Sequence, residues 1–293
     1  MSHKSGFVNI VGSPNVGKST LLNQLMGEKL SIVTSKAQTT RHRILGLLNN
    51  ENYQIVFSDT PGVVNASYEL HNVMMSYVDA CFQDADIIIL ITDVFENELN
   101  HVETLQRIQN LKIPTLCLIN KIDLKDQQMV GERLEYWKNK LPKADVFPIS
   151  ALHGFNIDVL KEKIIDLLPE SPPYYDKESI SDRPVRFFIA EIIREKIFLN
   201  LKKEVPYACQ VEVTEYLEEN ELIKIRAIII VERESQKGIL IGSKGKMLKY
   251  IGIDSRREIQ KFVGKKVFLE TIVKVDKDWR NSEVKLRKYG YRS

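Results

Sequence analysis

Apolar residues follow two rhythms along this chain. Continuous apolar runs stand at Phe7–Val11, Ile87–Thr92 and Thr115–Ile119. Between them, apolar positions recur every three to four residues around 70–82, 100–110, 131–140 and 156–168. Continuous runs predict strands covered on both faces, and the longer spacing predicts amphipathic helices. Ile44–Leu48 and Tyr53–Phe57 flank Asn49-Asn50-Glu51-Asn52 and predict a hairpin. A further strand is expected at Val146–Ile149. Strands alternating with helices imply an α/β domain with a mixed, mostly parallel sheet.

The pattern changes after residue 168. Pro169-Glu170-Ser171-Pro172-Pro173 reads as a semi-rigid linker. A helix is then expected at Ile189–Leu201 and an antiparallel strand pair at Ala208–Tyr216 and Leu222–Val231. A helix at Lys246–Phe262 and a strand at Lys266–Val275 follow. This second part reads as α+β. The expected boundaries are 1–170, a linker at 171–182, and 183–293; the 293 residues suffice for two domains. Ile189–Leu201 with Lys202-Lys203 could lie on a membrane surface, but an amphipathic core helix is the stronger reading. Ile87–Ile91 is far too short to span a bilayer. Met1-Ser2-His3-Lys4 runs straight into the first strand, so no secretory signal is visible.

The chemistry sits where the apolar runs end. Gly12-Ser13-Pro14-Asn15-Val16-Gly17-Lys18-Ser19, followed by Thr20, fits G-x-x-x-x-G-K-[ST] between a strand and a helix. In such a loop, backbone N–H groups face phosphates, Lys18 bridges the β- and γ-phosphates, and the Ser19 hydroxyl binds Mg²⁺. Asp59-Thr60-Pro61-Gly62 follows the second hairpin strand. Asp59 there can hold Mg²⁺ through water, and the Gly62 N–H can meet the γ-phosphate. Thr39-Thr40-Arg41 lies where a switch loop belongs, and a threonine hydroxyl can close on Mg²⁺. Asn120-Lys121-Ile122-Asp123 names the base. The Asp123 carboxylate can accept two hydrogen bonds from guanine, whereas adenine would leave it unpaired. Lys121 would pack over the base and Asn120 would tie down the phosphate loop. Ser150-Ala151-Leu152 would add a backbone N–H to the guanine O6. The four motifs converge at the carboxyl ends of strands, where ligands of such sheets bind. GTP and GDP are the expected ligands.

Charge separates the two halves. Residues 1–175 carry 16 Lys/Arg against 20 Asp/Glu, net −4, and residues 176–293 carry 26 against 19, net +7. The stretch 236–293 alone is +10, which favours a polyanion partner. Within it, Ile241 precedes Gly242-Ser243-Lys244-Gly245, and Lys246, Lys249, Arg256 and Arg257 follow. A G-x-x-G can be a plain helix–helix turn. With an apolar run before it and lysines in and beside it, it reads as a clamp on single-stranded RNA. Cys81, Cys117 and Cys209 lack metal spacing and read as small buried residues in a reducing compartment. His3, His42, His71, His101 and His153 likewise lack metal spacing, and Tyr174-Tyr175 reads as linker packing.

These motifs, with Lys36–Arg43 (K-A-Q-T-T-R-H-R), Glu191–Lys196, Val231–Glu234 and Leu286–Tyr291, resemble the bacterial Era family of GTPases almost end to end. The resemblance implies a P-loop GTPase domain followed by a type II KH domain. It implies slow GTP hydrolysis, binding of small-subunit ribosomal RNA near its 3′ end, and assistance to small ribosomal subunit assembly. It also implies a cytoplasmic, monomeric protein that can associate peripherally with the inner membrane. Thr40 matches the Mg²⁺-ligating switch residue, and Asn15 matches a residue that helps hold K⁺. Val63 stands where many signalling GTPases carry a water-orienting glutamine. Two other classes compete: a membrane-associated signalling GTPase whose basic domain binds lipid or protein, and a small-molecule kinase. The kinase has no use for N-K-x-D.

Overall fold

A computed structural model describes residues 3–99 and 101–291. Met1, Ser2 and Asn100, on which the leader reading and the start of one expected helix fall, lie outside them. The chain forms two compact units. The first holds the residues up to Ala66 together with Met74–Asp182; the second holds Ser67–Val73 and the chain from Arg183 onward.

The first unit runs β1 (Lys4–Val11), α1 (Lys18–Met26), β2 (Ile44–Asn49), β3 (Tyr53–Asp59), α2 (Glu69–Gln83) from Met74 onward, β4 (Ile87–Asp93), α3 (Val102–Gln109), β5 (Thr115–Asn120), α4 (Gln127–Lys140), β6 (Asp145–Pro148) and α5 (Ile157–Leu167). Its sheet has the order β2-β3-β1-β4-β5-β6. Only β2 and β3 pair antiparallel; the rest are parallel. This is the mixed, mostly parallel sheet expected. Every side chain from Ile87 to Ile91 is fully buried, which is why β4 shows no alternation. Register does the positioning. Asp59 pairs with Ile10, and Asn120 pairs with Asp93, so the motif residues emerge at one edge.

Residues 171–182, read as the linker, are fastened to this first unit. The Gln54 side chain accepts from the N–H groups of Tyr174 (2.7 Å) and Tyr175 (2.9 Å). The Leu47 N–H donates to Ile180 O at 2.9 Å, and Ser181 Oγ donates to Leu45 O at 2.6 Å. The segment thus satisfies polar groups along β2, which would otherwise be an open sheet edge. Tyr174 packs on Phe7, and Tyr175 packs against Leu45, Leu47 and Val56.

The second unit runs α6 (Val185–Asn200), β7 (Gln210–Glu218), β8 (Leu222–Val231), α7 (Glu234–Ile241), α8 (Lys246–Val263), β9 (Lys266–Val275) and α9 (Glu283–Lys288). β8 pairs antiparallel with β7 and parallel with β9. The order helix-strand-strand-helix-helix-strand is that of a type II KH domain. Helix α6 buries Ile189, Ile192, Ile193 and Ile197 among strand residues Ile225, Ala227 and Ile229. It is a core helix.

Candidate functional site

The phosphate loop is a tightly wired turn. Lys18 Nζ donates to Gly12 O (3.0 Å) and Ser13 O (2.7 Å), so the amine closes the loop around itself. Asn120 Nδ2 donates to Val16 O at 2.8 Å, and its Oδ1 accepts from the Ala151 N–H at 2.9 Å. A Cβ on Gly17 would stand 2.3 Å from Asn120 Nδ2, so glycine is required there. Ser150 Oγ donates to Asp123 Oδ1 at 2.6 Å and fixes that carboxylate. Lys121 Nζ donates to Asn15 O (2.7 Å) and Asp93 Oδ2 (2.6 Å). Its amine is therefore pinned, leaving its stem for the cavity wall.

One cavity gathers most of the residues expected at the nucleotide. Pro14, Asn15, Gly17, Lys18, Ser19, Thr20, Thr40, Gly62, Asn120, Lys121, Asp123 and Leu152 line it. Gly12, Ser13 and Val16 are buried in the wall behind. Asp59 and Thr60 are fully buried, and the Thr60 hydroxyl, just past β3, donates to Ile10 O of β1 at 2.7 Å. Of the backbone N–H groups at 150–152, those of Ser150 and Ala151 bond Phe155 O and Asn120. Leu152 is the residue of the three on the cavity wall.

Ser19, Thr40 and Asp59 converge. Ser19 Oγ lies 2.8 Å from Thr40 Oγ1 and 2.6 Å from Asp59 Oδ2; Thr40 Oγ1 donates to the same oxygen at 3.4 Å. Asp59 Oδ1 is buried with no hydrogen-bond partner among the described residues. Two hydroxyls gathered on a carboxylate whose second oxygen has no partner are hard oxygen donors of the kind Mg²⁺ takes. Burial pushes the Asp59 carboxyl up, against the Ser19 hydrogen bond and the Lys18 charge. Burial pushes the Lys18 amine down to about 8, while the charges of Asp59 and Glu96 hold it up. An ammonium held in so dry a place is set to meet an anion. Val63 is buried in the core, with its N–H on Gly12 O at 3.3 Å. Its apolar side chain cannot orient a water by hydrogen bonding.

The second unit carries a different loop. Gly242-Ser243-Lys244-Gly245 joins α7 to α8, so it is a helix–helix turn, and an unusual one. Gly242, Lys244 and Gly245 all have positive φ (70°, 50° and 76°). A Cβ on Gly242 would stand 2.7 Å from Met247 Cβ, whereas one on Gly245 would meet nothing within 4 Å. Lys244, Lys246, Lys249, Arg256 and Arg257 are all exposed, and Ile241 is half-buried under the loop. Lys249 and Arg256 line a cleft between α8 and β9 with Gly245, Gly252 and Thr271. Arg257 is next to Arg256 but does not line the cleft.

Residues 7–121 match the family described as 50S ribosome-binding GTPase, and residues 204–280 match the KH domain family. Over 292 residues the chain is 44% identical to the GTPase Era of Clostridium acetobutylicum, covering 99% of this chain and 98% of that one. The chloroplastic ERA-like GTPase of Oryza sativa is 43% identical over 99% of this chain and 70% of its own length. The chain belongs to the Era family of GTPases. Its fold agrees with a crystal structure of Era in complex with MgGDPNP and nucleotides 1506–1542 of 16S ribosomal RNA. That match has a TM-score of 0.93 at 39% identity, over 99% of this chain and all of that one. As an Era-family member the protein is a GTPase with a P-loop domain and a KH domain, and Mg²⁺ is its cofactor. Among the described residues no helix is long and apolar enough to cross a membrane.

Motif spacing misses two acids that touch the phosphate loop or its ties, Asp93 and Glu96. Asp93 holds Lys121, and Glu96 accepts a hydrogen bond from Ser13. One signal was available for Asp93. It ends an apolar strand at the same carboxyl edge as Gly12, Asp59 and Asn120.

Proposed function

We propose that this protein is a GTP-controlled RNA-binding factor that grips small-subunit ribosomal RNA near its 3′ end and assists small ribosomal subunit assembly. The observation that carries the reading is the exposed, positive-φ G-x-x-G loop of a basic KH unit in the same chain as a complete GTP site. The relative crystallised with 16S ribosomal RNA matches over the whole chain. The site of action is the cytoplasm, including peripheral association with the cytoplasmic face of the inner membrane, and the protein works as a monomer.

In this reading Asp123, oriented by Ser150, accepts from guanine N1–H and the exocyclic amine. Asn120 and Lys121 hold the phosphate loop at Val16 and Asn15. Lys18 places its ammonium between the β- and γ-phosphates, and the Gly62 N–H donates to the γ-phosphate. Ser19, Thr40 and Asp59 are the Mg²⁺ ligand set, and the ion neutralises charge on the β- and γ-oxygens when bound. Thr40 joins that set from the switch loop, so its closure depends on the γ-phosphate. Buried Val63 orients no water, so hydrolysis is slow. Asn15, a residue of the cavity wall with a left-handed backbone conformation (φ 65°), would bring K⁺ to the phosphates. Hydrolysis is therefore faster in K⁺ than in Na⁺ buffer; equal rates remove the potassium role.

The test of the RNA reading is fluorescence anisotropy with single-stranded RNA from the 3′ end of small-subunit ribosomal RNA. The double variant Lys244→Glu/Lys246→Glu is expected to weaken binding by tenfold or more and to flatten the salt dependence by about two phosphate contacts. GDP affinity stays unchanged. Wild-type RNA affinity in that variant would falsify the reading of this loop as an RNA clamp. Flotation with anionic vesicles that survives nuclease treatment would favour a lipid partner for the basic face instead.

A further inference from the structure

Glu96 belongs to none of the nucleotide-binding motifs, yet it touches the phosphate loop. It lies in the turn that follows β4. Asp93 Oδ1 accepts from the N–H groups of Phe95 (3.0 Å) and Glu96 (3.1 Å), which fixes that turn. The Glu96 side chain then folds back on the site. Its Oε2 accepts from Thr92 Oγ1 at 2.7 Å, and its Oε1 accepts from Ser13 Oγ. Asp93 Oδ2 meanwhile takes the amine of Lys121, which also donates to Asn15 O. The phosphate loop is thus held at Ser13 and at Asn15, in both cases from the turn Asp93–Glu96.

We propose that Glu96 is a positioning residue of the nucleotide site, holding Ser13 and the first turn of the phosphate loop in the geometry that receives the nucleotide phosphates. A carboxylate beside incoming phosphates would by itself repel them. Here two hydroxyl donors take up its two oxygens, and its charge acts on the buried ammonium of Lys18. The phosphates therefore meet a loop already fixed, with the ordering cost met in the free protein. The turn is also on the surface, since Phe95, Asn97 and Glu98 are exposed. Removing the Glu96 side chain consequently leaves the core intact.

The inference rests on the GTP site alone and makes no use of RNA. The experiment titrates GDP and GTP into the full chain and into Glu96→Ala, Glu96→Gln, Ser13→Ala and the Glu96→Ala/Ser13→Ala double variant. Loss of charge-assisted hydrogen bonds is expected to raise both Kd values about tenfold in Glu96→Ala. KM for GTP rises with them while kcat is retained, and Tm stays near wild type. Glu96→Gln keeps an amide oxygen and an amine for the two hydroxyls and stays within about threefold. If the two residues act through one contact, the double variant is no weaker than the worse single one. A Glu96→Ala variant that binds within twofold of wild type, or more tightly, overturns the proposal. So do additive losses in the double variant. A wild-type chain that failed to bind GDP would overturn the GTP site itself, a different failure.

Discussion

The phosphate loop and the Gly242–Gly245 loop both lead into a helix, α1 and α8, and both contain a lysine. There the likeness ends. Lys18 is buried and donates to two carbonyls of its own loop, while Lys244 is exposed and its Nζ makes no hydrogen bond among the described residues. The first loop is tied from outside by Asn120, Lys121 and Glu96. The second is set by its own backbone, with three positive-φ residues in four. One is built as a closed cradle for a ligand of fixed shape, where donors must already be in place. The other is built as an open rail, which a flexible polyanion can approach closely. In the proposed function, specificity on the first side comes from the Asp123 carboxylate, fixed by Ser150, which the wrong base would leave unpaired. Affinity on the second side, in the same proposed function, comes from exposed charge and is correspondingly sensitive to salt.

The sharpest way to break this contrast is to add one methyl group to the cradle. Gly17→Ala puts a Cβ 2.3 Å from Asn120 Nδ2 at a φ of 106°. Either Asn120 leaves Val16 O and the Ala151 N–H, or the loop moves. Backbone strain and lost buried hydrogen bonds together cost roughly 3 kcal/mol, so GDP affinity should fall by about a hundredfold. RNA affinity of the nucleotide-free protein should not change. GDP binding within tenfold of wild type would show that the cradle is softer than its wiring implies.

A smaller effect comes from pH. The free-protein pKa of Lys18 is lowered to about 8, and bound phosphates favour its charged form. Nucleotide binding therefore takes up a proton above pH 8, and affinity falls as pH rises. With that pKa, GDP should bind about tenfold more weakly at pH 9 than at pH 7. Calorimetry in buffers of different ionisation enthalpy would detect the proton. The sign for folding is opposite. A lysine whose folded pKa is depressed opposes folding while protonated, so its share of stability grows as pH rises through 8 towards 10.5. A flat GDP profile would mean that Lys18 is already charged in the free cradle.

The same contrast governs what could be read from sequence. The cradle was legible because its parts end apolar strands, and the strands of the sheet fall where their apolar runs do. Helix α4 begins at Gln127 rather than near 131, because Asp126 caps it by accepting from the Met129 N–H at 2.9 Å. Apolar spacing is blind to a polar first turn. Helix α7 carries too little apolar period to be legible, for a related reason. Gly238 interrupts it and only Gln236 and Leu240 are buried. It starts where the Gln236 side chain accepts from the N–H groups of Glu232 and Arg233. Proline content marks 171–182 as a connector, but its docking depends on Gln54, more than a hundred residues away. Glu96 was invisible for the same reason, since only the folded chain brings it to Ser13.

The finest probe of the comparison is Gly245→Ala beside Gly245→Asn. A Cβ at Gly245 meets nothing within 4 Å, so neither variant suffers a clash. What remains is the cost of φ +76° for a residue with a side chain. That is about 1 kcal/mol for alanine, and less for asparagine, which tolerates the left-handed region. Tm should drop by a few degrees in Gly245→Ala and recover in Gly245→Asn. RNA affinity separates two reasons for the glycine. If the loop needs only its backbone shape, Gly245→Asn binds RNA as wild type does. If the nucleic-acid backbone must pass close to an atom-free surface, both variants lose a few-fold, and asparagine, the larger, loses more. The open-rail reading requires the second outcome. Wild-type RNA binding in Gly245→Asn would make the loop a shaped support, closer in design to the phosphate cradle than its exposure suggests.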